Sequence, residues 1–490
     1  MKEISARATT FERPDTARLI DPSPLSSPAP FLVEEQRSPL VVVKFGGYAM
    51  STPENVARSA AIMHADPERR RIAVVAAPGD KEGDLSDDSN KGVTSLLREA
   101  YRLRSRELSF DRPFYAVRNR FREYGKDLEE SSFVDELMSD LYRDIDNQES
   151  AARVISYGEK GAMLIFAKIL GGSPVDPVNY ILAKNGTYSF LGGLPQNETG
   201  FDVVAGHYGT DEYGNIELFP SPGGNYTASI IAAGVNAEGL EIYKKDPGYL
   251  SADPKIVANP HRIEEMTYTE MMMINDASKK PIVPTESVMA AIEDNIRIKV
   301  NSLDDPQKGT MIAAKRSSGQ AVVGVVGKGG STSFTVTGRG RSMHHNDGII
   351  AQVSQAFADD HRSINHIFSE INKVTVSLDE DQLTEGGRKV DLEAIERKLQ
   401  AIEGLAGRIN VGVKENLATV SVVGEGVGKD SINVIGTVAS ALQGSGIDVE
   451  EFTHAGGKNV IFTVDKAELR GAINAVHDAF FPEDAIAKGK

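Results

Sequence analysis

The chain has 490 residues and contains no cysteine. Disulfides, cysteine-bound zinc, iron–sulfur clusters and thiol nucleophiles are therefore excluded, and any metal must be a hard ion that is held by oxygen or bound with a substrate. No apolar run reaches the ~18 residues that cross a bilayer, and the first residues lack the apolar segment of a signal peptide. The sequence therefore predicts a cytoplasmic protein.

The chain also has fewer basic than acidic residues. Lys and Arg number 54 against 70 Asp and Glu, which gives a formal net charge of −16. Nucleic acids and anionic membranes require a basic face, so neither is expected as a general partner. The length suggests about three domains at roughly 150 residues each.

Residues 1–38 are rich in Pro and Ser and cannot bury enough apolar surface to offset the entropy of ordering, so we predict a disordered tail. Order is expected to begin with the β-branched run Leu40–Phe45, which the glycine turn Gly46–Gly47 follows. A helical pattern and a second apolar strand come next. This β-α-β order predicts a parallel sheet in an α/β domain.

An internal repeat marks the C-terminal part of the chain. Thr335–Gly340 resembles Ser421–Gly426, and Phe368–Glu370 resembles Phe452–His454, at offsets of 86 and 84 residues. Two copies of a small β-α-β-β-type unit predict a paired regulatory or interaction module. A single α+β domain without a repeat is the alternative.

Two glycine-rich turns carry the strongest signals for phosphate. Lys44 stands two residues before Gly46, where a parallel strand ends and ligands of open α/β sheets bind. Gly223–Gly224 precedes an apolar helical run whose first amides face an anion readily. The plainer alternatives are a surface lysine before a turn and an ordinary helix start.

Other charged residues are open to two interpretations. Glu159, ahead of an apolar helical run, could bind a substrate ammonium or favour the positive end of a helix dipole. The loop from Lys244 to Lys255 suits a nucleotide, but a solvated turn would look the same. His344 and His345 have no third ligand at metal spacing, so we predict a polar turn and no metal site there.

Taken in order, the motifs resemble those of the aspartate kinase family, over about residues 40 to 485. The segments that carry this resemblance are Lys44–Gly47, Ser156–Glu159, Gly206–Gly209, Lys244–Lys255, Lys280–Pro284, Lys308–Ile312, Phe368–Glu370 and Val420–Gly426.

The resemblance implies an α/β fold: an amino acid kinase-like parallel-sheet sandwich followed by two ferredoxin-like ACT domains. The expected boundaries are 39–314 for the kinase domain, 320–412 for the first ACT domain and 413–490 for the second. In an alternative arrangement, the terminal strand and helix complete the first ACT domain.

The implied reaction is the ATP-dependent phosphorylation of the β-carboxylate of L-aspartate to 4-phospho-L-aspartate. This is the first step of aspartate-family amino acid biosynthesis, which leads to lysine and threonine. The family also implies a magnesium ion, feedback by an amino acid effector bound to the ACT domains, and a homodimer or higher homo-oligomer formed through them.

The resemblance also assigns roles to residues. Lys44 is the expected catalytic residue, and no protein ligand to a metal is expected. The expected substrate-binding residues are Tyr48, Glu159, Ser221, Gly223, Gly224 and Asn225. The expected nucleotide-binding residues are Gly46, Gly47, Lys244, Lys245, Leu250, Lys255 and Lys280. The expected effector residues are Asn346, Asp347, Asn365, Ser369 and Glu370.

The chain departs from the family pattern mainly where the amino acid should bind. Tyr48 and Ala49 replace Thr-Ser, Ser221 replaces an arginine, and Asn225 replaces an acidic residue. Three functions therefore remain open: an aspartate kinase with a modified pocket, an acyl-phosphate kinase for another amino acid or carboxylate, and a catalytically weak paralogue that senses amino acids.

Overall fold

The computed structural model describes residues 37–126, 132–194, 200–340, 342–343, 348–385, 388–455 and 457–482. All but the end of the predicted tail falls outside these ranges, as do His344, His345, Asn346 and Asp347.

The chain forms two compact units. The first consists of the residues up to Tyr249 together with Arg262–Met271 and Ile282–Ser317. The second consists of Leu250–His261, Met272–Pro281 and the residues from Ser318 onward. Two short segments before residue 282 thus belong with the C-terminal part of the chain, which a simple division by sequence position does not predict.

The N-terminal part contains twelve strands and eight helices. The strands are β1 (Ser38–Phe45), β2 (Ile72–Val75), β3 (Ser173–Val175), β4 (Ile181–Lys184), β5 (Thr187–Phe190), β6 (Asp202–Ala205), β7 (Tyr208–Thr210), β8 (Ile216–Leu218), β9 (Ala237–Lys244), β10 (Glu265–Thr267), β11 (Arg297–Ser302) and β12 (Gly309–Ala313) within the described residues. The helices are α1 (Pro53–His64), α2 (Val93–Arg104), α3 (Asp111–Tyr124), α4 (Ser132–Asp146), α5 (Ala151–Leu170), α6 (Gly223–Gly234), α7 (Tyr268–Asp276) and α8 (Met289–Glu293), with short 3₁₀ turns at Pro177–Asn179 and Thr285–Val288.

The main sheet of the first unit has the strand order β10-β12-β11-β9-β1-β2-β6-β3. Its pairs are parallel except β11 with β12. β1 is central, and Lys44 at its end is in register with Val74 of β2 and Ile242 of β9. The predicted β-α-β unit is thus confirmed, and it places Lys44 in the middle of one edge of the sheet.

The apolar core of the first unit follows from these runs. Val43 and Phe45 of β1 are fully buried in one cluster with side chains of α1 to α5. Helix α1 begins where Thr52 accepts a hydrogen bond from the backbone N of Asn55 at 3.2 Å, with Pro53 at the first helical position. A smaller sheet has the order β5-β4-β7-β8.

The C-terminal part has eight strands and four helices among the described residues. The strands are β13 (Gly324–Gly338), β14 (His366–Glu370), β15 (Lys373–Leu378), β16 (Thr384–Glu385), β17 (Arg388–Lys389), β18 (Ile409–Val423), β19 (Glu451–Ala455) and β20 (Asn459–Asp465). The helices are α9 (Ile349–Ala358), α10 (Leu392–Gln400), α11 (Ser431–Gly444) and α12 (Leu469–Phe480), with a 3₁₀ turn at Lys466–Glu468.

The predicted repeat corresponds to the layout of the six-stranded sheet β14-β15-β13-β18-β20-β19. Val353 and Phe357 of α9 lie in one apolar cluster, and their repeat partners Val438 and Leu442 of α11 lie in a second. The long strands β13 and β18 contribute to both. Ile473 of α12 lies in the second cluster, so the terminal helix packs with the second repeat.

None of the helices in the described ranges is long and apolar enough to span a membrane.

Candidate active site

The site lies where β1, β2 and β6 end, and glycines bring their backbones together. A Cβ atom placed on Gly79, which follows β2, would lie 2.7 Å from the carbonyl carbon of Gly47. A Cβ on Gly206, which follows β6, would lie 3.0 Å from Cα of Gly224 at the start of α6. These approaches leave no room for larger residues, so the three strand ends and one helix N-terminus form a single backbone surface.

Lys44 lies on this surface. Its side chain is 5% exposed, with Cε 3.2 Å from the Cβ position of Gly224 and Nζ 3.4 Å from that of Gly46. Burial, reinforced by the charge of Lys244, lowers the pKa of the Lys44 ammonium to about 7, and the charge of Glu159 opposes this shift. A buried cation beside uncapped helix amides is suited to a phosphate group.

Glu159 lies in the interior of α5, nine residues into that helix, so the alternative of a helix-dipole carboxylate is wrong. Its side chain is 3% exposed, and Oε1 accepts a hydrogen bond from the backbone N of Ala77 at 3.3 Å. Oε2 is buried without a hydrogen-bond partner among the described residues. Burial raises the pKa of the Glu159 carboxyl to about 7, which makes it an acceptor prepared for a cation.

His207 belongs to the site, although the sequence analysis gave it no role. It follows Gly206 at a left-handed φ of 77°, and a Cβ on Gly223 would lie 2.6 Å from its Nδ1. Its imidazole is therefore packed on the first residue of α6. Burial, together with the positive charges of Arg98 and Lys44, lowers the pKa of His207 to about 4, so the ring is neutral at pH 7.

Two of the altered pocket residues, Ser221 and Asn225, lie at the start of α6. Asn225 is buried, and its Nδ2 donates to Oγ of Ser287 at 3.3 Å. Its Oδ1 has no hydrogen-bond partner in the part of the chain that is described. Ser221 is exposed, two residues before α6 begins. Asn225 therefore presents an unpaired acceptor, and Ser221 presents only a short hydroxyl.

Half-buried Tyr48 and exposed Lys245 lie together in the first unit. The Tyr48 hydroxyl donates to Asp304 at 3.0 Å, and Nζ of Lys245 lies 5.5 Å from the centre of the Tyr48 ring. Lys245 also pairs with Glu82 at 2.8 Å. Both residues therefore already have partners, so their predicted roles with substrate and nucleotide would require these contacts to rearrange.

The other predicted nucleotide residues divide between the two units. Lys244 ends β9, and its Nζ donates to the backbone carbonyl of Ile282. Leu250, Lys255 and Lys280 lie in segments of the second unit, so their part in nucleotide binding stays a prediction.

Arg120 is a positioning residue that the sequence did not reveal. It is buried, and its guanidinium donates to the backbone carbonyls of Ser51, Gly79, Ser89 and Lys91 at 2.6 to 3.2 Å. The loop after β1 and the turn after β2 are thereby held by one side chain. Four carbonyl acceptors account for burial of its charge.

The described effector residues lie on β14 of the first repeat or directly before it. Asn365 exchanges two hydrogen bonds with Asp379, at 2.6 and 2.9 Å. Ser369 and Glu370 are exposed on β14, and Glu370 pairs with Lys373 at 3.3 Å. Their role with an effector stays a prediction.

The donor set around Lys44 determines how a metal would be held. Within the described ranges, no group of three or more His, Asp or Glu side chains could bind a metal ion. Magnesium that is bound together with a nucleotide commonly keeps several waters and is held by substrate phosphates with one or two carboxylates.

Comparison with known proteins agrees with this geometry. The sequence profile of the amino acid kinase family matches residues 39–302, more than half of the chain. The chain is 25% identical over 463 residues to aspartokinase 3 of Bacillus subtilis, which covers 90% of this chain and 98% of that protein.

Two solved structures share the fold. Aspartate kinase of Clostridium acetobutylicum matches with a TM-score of 0.76 at 20% identity, over 90% of this chain and all of the other. Escherichia coli aspartokinase III in complex with aspartate and ADP matches with a TM-score of 0.68, also at 20% identity, over 90% of this chain and all of the other. The resemblance and the predicted fold class are thus confirmed, and the chain belongs to the amino acid kinase family.

Proposed function

We propose that the chain is an aspartate kinase, which transfers the γ-phosphoryl group of ATP to the β-carboxylate of L-aspartate. The observation that carries this proposal is that the site contains two buried ionisable side chains of opposite type. Lys44 lies among backbone-exposing glycines, and Glu159 has one oxygen without a hydrogen-bond partner among the described residues. One suits a phosphate and the other suits an ammonium. The names of the B. subtilis relative and of the E. coli complex with aspartate and ADP support the choice of substrates.

The chemistry requires no general base, because a carboxylate is already ionised at neutral pH. A β-carboxylate oxygen attacks the γ-phosphorus, the bond from that phosphorus to the β,γ-bridging oxygen breaks, and ADP leaves with the bond electrons. The product is an acyl phosphate. What the protein must supply is alignment of two anions and compensation of the charge on the transferred group.

Lys44 is the residue placed to compensate that charge. Its ammonium lies between Gly46 and Gly224, where backbone amides can also reach phosphate oxygens. Because burial favours the neutral amine in the ligand-free protein, a bound triphosphate would return the proton and the charge. Magnesium, when bound with the nucleotide, neutralises phosphate charge and orients the leaving group.

Glu159 is the residue placed to hold the substrate ammonium. Its Oε1 is fixed by the backbone of Ala77, which leaves Oε2 free to accept a hydrogen bond. A bound ammonium would favour the ionised carboxylate and so offset the cost of its burial. The triphosphate thus favours the charged form of Lys44 and the substrate ammonium favours the charged form of Glu159, whereas burial in the ligand-free protein disfavours both charges.

A second candidate is the same chemistry with a different acid as acceptor. It is favoured by the start of α6, where exposed Ser221 and neutral Asn225 replace the arginine and the acidic residue of the family. These replacements change the groups available to an amino acid while leaving the surface around Lys44 intact.

We extend the proposal to the second unit, to assembly and to location. Its two repeats would bind an amino acid effector, with Asn365, Ser369 and Glu370 among the contacts, and would join copies of the chain into a homo-oligomer. The enzyme would act in the cytoplasm, where ATP and free amino acids are both present.

The experiment that tests the proposal uses the purified chain, MgATP, a panel of carboxylic amino acids, and hydroxylamine to trap any acyl phosphate as a hydroxamate. Hydroxamate from aspartate, abolished in Lys44→Ala but retained in Lys184→Ala, supports the proposal. Lys184 is a matched exposed lysine that pairs with Glu212. Product with another acid alone would select the second candidate, and no product with any acid would indicate a sensing paralogue.

A further inference from the structure

We propose that Arg98 binds the α-carboxylate of the amino acid substrate and so determines specificity for α-amino acids. The inference rests on the proposed function, because it names a further contact in the same site. Nothing in the local sequence marks Arg98, which is one of several arginines on the helical stretch α2.

The packing of two helices brings Arg98 to the site. Val93 and Leu97 of α2 each approach the Cβ position of Gly158 on α5 to 3.4 Å. Arg98 and Glu159 are the next residues along the two helices after Leu97 and Gly158. The contact therefore brings the stretch of α2 that carries Arg98 close to the stretch of α5 that carries Glu159.

The charge of Arg98 acts on two groups of the site. It opposes the burial-driven rise in the pKa of Glu159 and contributes to the lowered pKa of His207. His207 in turn packs on Gly223, two residues after Ser221. The charge of Arg98 therefore acts both on the proposed ammonium acceptor and on the histidine that packs at the start of α6.

The Arg98 side chain is also available for a ligand. It is exposed, and it forms no hydrogen bond or ion pair with any residue in the described ranges. Its neighbour Glu99, in contrast, pairs with Lys91 and Arg112. A free guanidinium can bind a carboxylate through two parallel hydrogen bonds.

The chemistry of the ligand completes the argument. In an α-amino acid the carboxylate is attached to the carbon that carries the ammonium, so an acceptor for the ammonium needs a cation nearby. The cations whose charge acts on Glu159 are Arg98 and Lys44. Lys44 is placed for phosphate, which leaves Arg98 for the α-carboxylate.

The test compares aspartate with β-alanine in the hydroxamate assay. β-Alanine keeps the ammonium and the accepting carboxylate but lacks the α-carboxylate. In Arg98→Ala we expect KM for aspartate to rise 10- to 100-fold, with KM for ATP unchanged and the preference for aspartate over β-alanine reduced by the same factor. Arg102→Ala, one turn further along α2 and also exposed, should match the wild type.

A gain-of-function arm sharpens the test. Ser221→Arg in the Arg98→Ala background should recover part of the lost affinity for aspartate, because it returns a guanidinium to the start of α6. Thermal melting should show that both variants remain folded, as expected for exposed sites.

Two outcomes would overturn the inference: an unchanged KM for aspartate in Arg98→Ala, or equal losses for aspartate and β-alanine. Failure of the proposed function is distinguishable, because it appears in the wild type as no product from aspartate. In that case calorimetric binding of aspartate to the wild type and Arg98→Ala decides. Equal affinities, or no binding to either protein, would overturn the inference, and weaker binding to the variant would support it.

Discussion

The two ends of the site are built in different ways. Around Lys44 the surface consists largely of backbone, and glycines such as Gly79 and Gly223 lie too close to their neighbours to accept a side chain. Around Glu159 it consists of side chains, and Glu159 and Asn225 each carry a buried oxygen that has no hydrogen-bond partner among the residues the structure describes. Phosphate binding is thus tied to the fold, whereas amino acid binding depends on a few residues that can be exchanged without disturbing the sheet.

The largest expected effect comes from removing the charge at the phosphate end. Lys44→Ala should lower kcat by about 10²–10⁴-fold, because a preorganised charge beside the transferred phosphoryl group is lost. Steady-state hydroxamate assays measure this loss, with Lys184→Ala as the control. A kcat within threefold of the wild type would show that Lys44 is only a buried lysine at a strand end.

The next effect tests whether the backbone itself forms the phosphate surface. Gly79→Ala should lower kcat/KM for ATP about 10–100-fold, because the new methyl group would lie 2.7 Å from Gly47 and one of the two turns must move. Gly319→Ala, where a Cβ meets no atom within 4 Å, is the matched control. Equal activities of the two variants would contradict a tightly packed phosphate end.

At the amino acid end, Glu159→Gln should weaken aspartate binding and, at high pH, stabilise the ligand-free protein. We expect KM for aspartate to rise roughly 10–100-fold, since the substrate ammonium loses a charged acceptor. Burial raises the pKa of Glu159 above its unfolded value, so stability from this group is complete below about pH 4.5 and is lost as the pH rises through about 7.

The ligand-free variant should therefore be more stable than the wild type at pH 8, on the order of 2 kcal/mol, and the difference should shrink toward pH 5. Urea unfolding at the two pH values measures it. Lower stability at pH 8 would mean that the ionised carboxylate is well paired in the native protein.

The smallest effect is a proton taken up with the nucleotide. Because burial lowers the pKa of Lys44 to about 7, its side chain is mostly the neutral amine at pH 8 and mostly the charged ammonium at pH 6. Phosphates favour the charged form, so MgADP binding should take up close to one proton at pH 8 and little at pH 6. Calorimetry in buffers of different ionisation enthalpy measures this uptake, and Lys44→Met should remove it. An uptake at pH 8 that survives in the variant would assign the proton elsewhere.

The phosphate end was the more predictable from sequence. Lys44 and the glycines after it are neighbours in the chain, and the alternation of strands and helices orders the sheet edge on which they lie. The repeat likewise indicated two similar apolar clusters in the second unit, because Val353 and Phe357 in one copy and Val438 and Leu442 in the other are each four residues apart on a helix.

The amino acid end depends on contacts between distant segments, which local patterns do not reveal. Glu159 was expected near a helix start but lies inside α5, because the helix begins eight residues earlier at Ala151, where the Ser150 side chain caps it by accepting from the backbone N of Arg153. Arg98 and His207 approach it only through the packing of α2 and the turn after β6. Leu250 and Lys255 follow β9 directly, yet they belong to the second unit, since Ala252 and Val257 lie in its apolar cluster.

The central claim is that Lys44 and Glu159 are the two opposite poles of one site. A crystal structure of the full chain with aspartate and a non-hydrolysable ATP analogue tests it most directly. The account predicts the aspartate ammonium within about 3 Å of Glu159 Oε2 and a phosphate oxygen within about 3 Å of Lys44 Nζ. An amino acid bound away from Glu159, or a triphosphate away from Lys44, would contradict it.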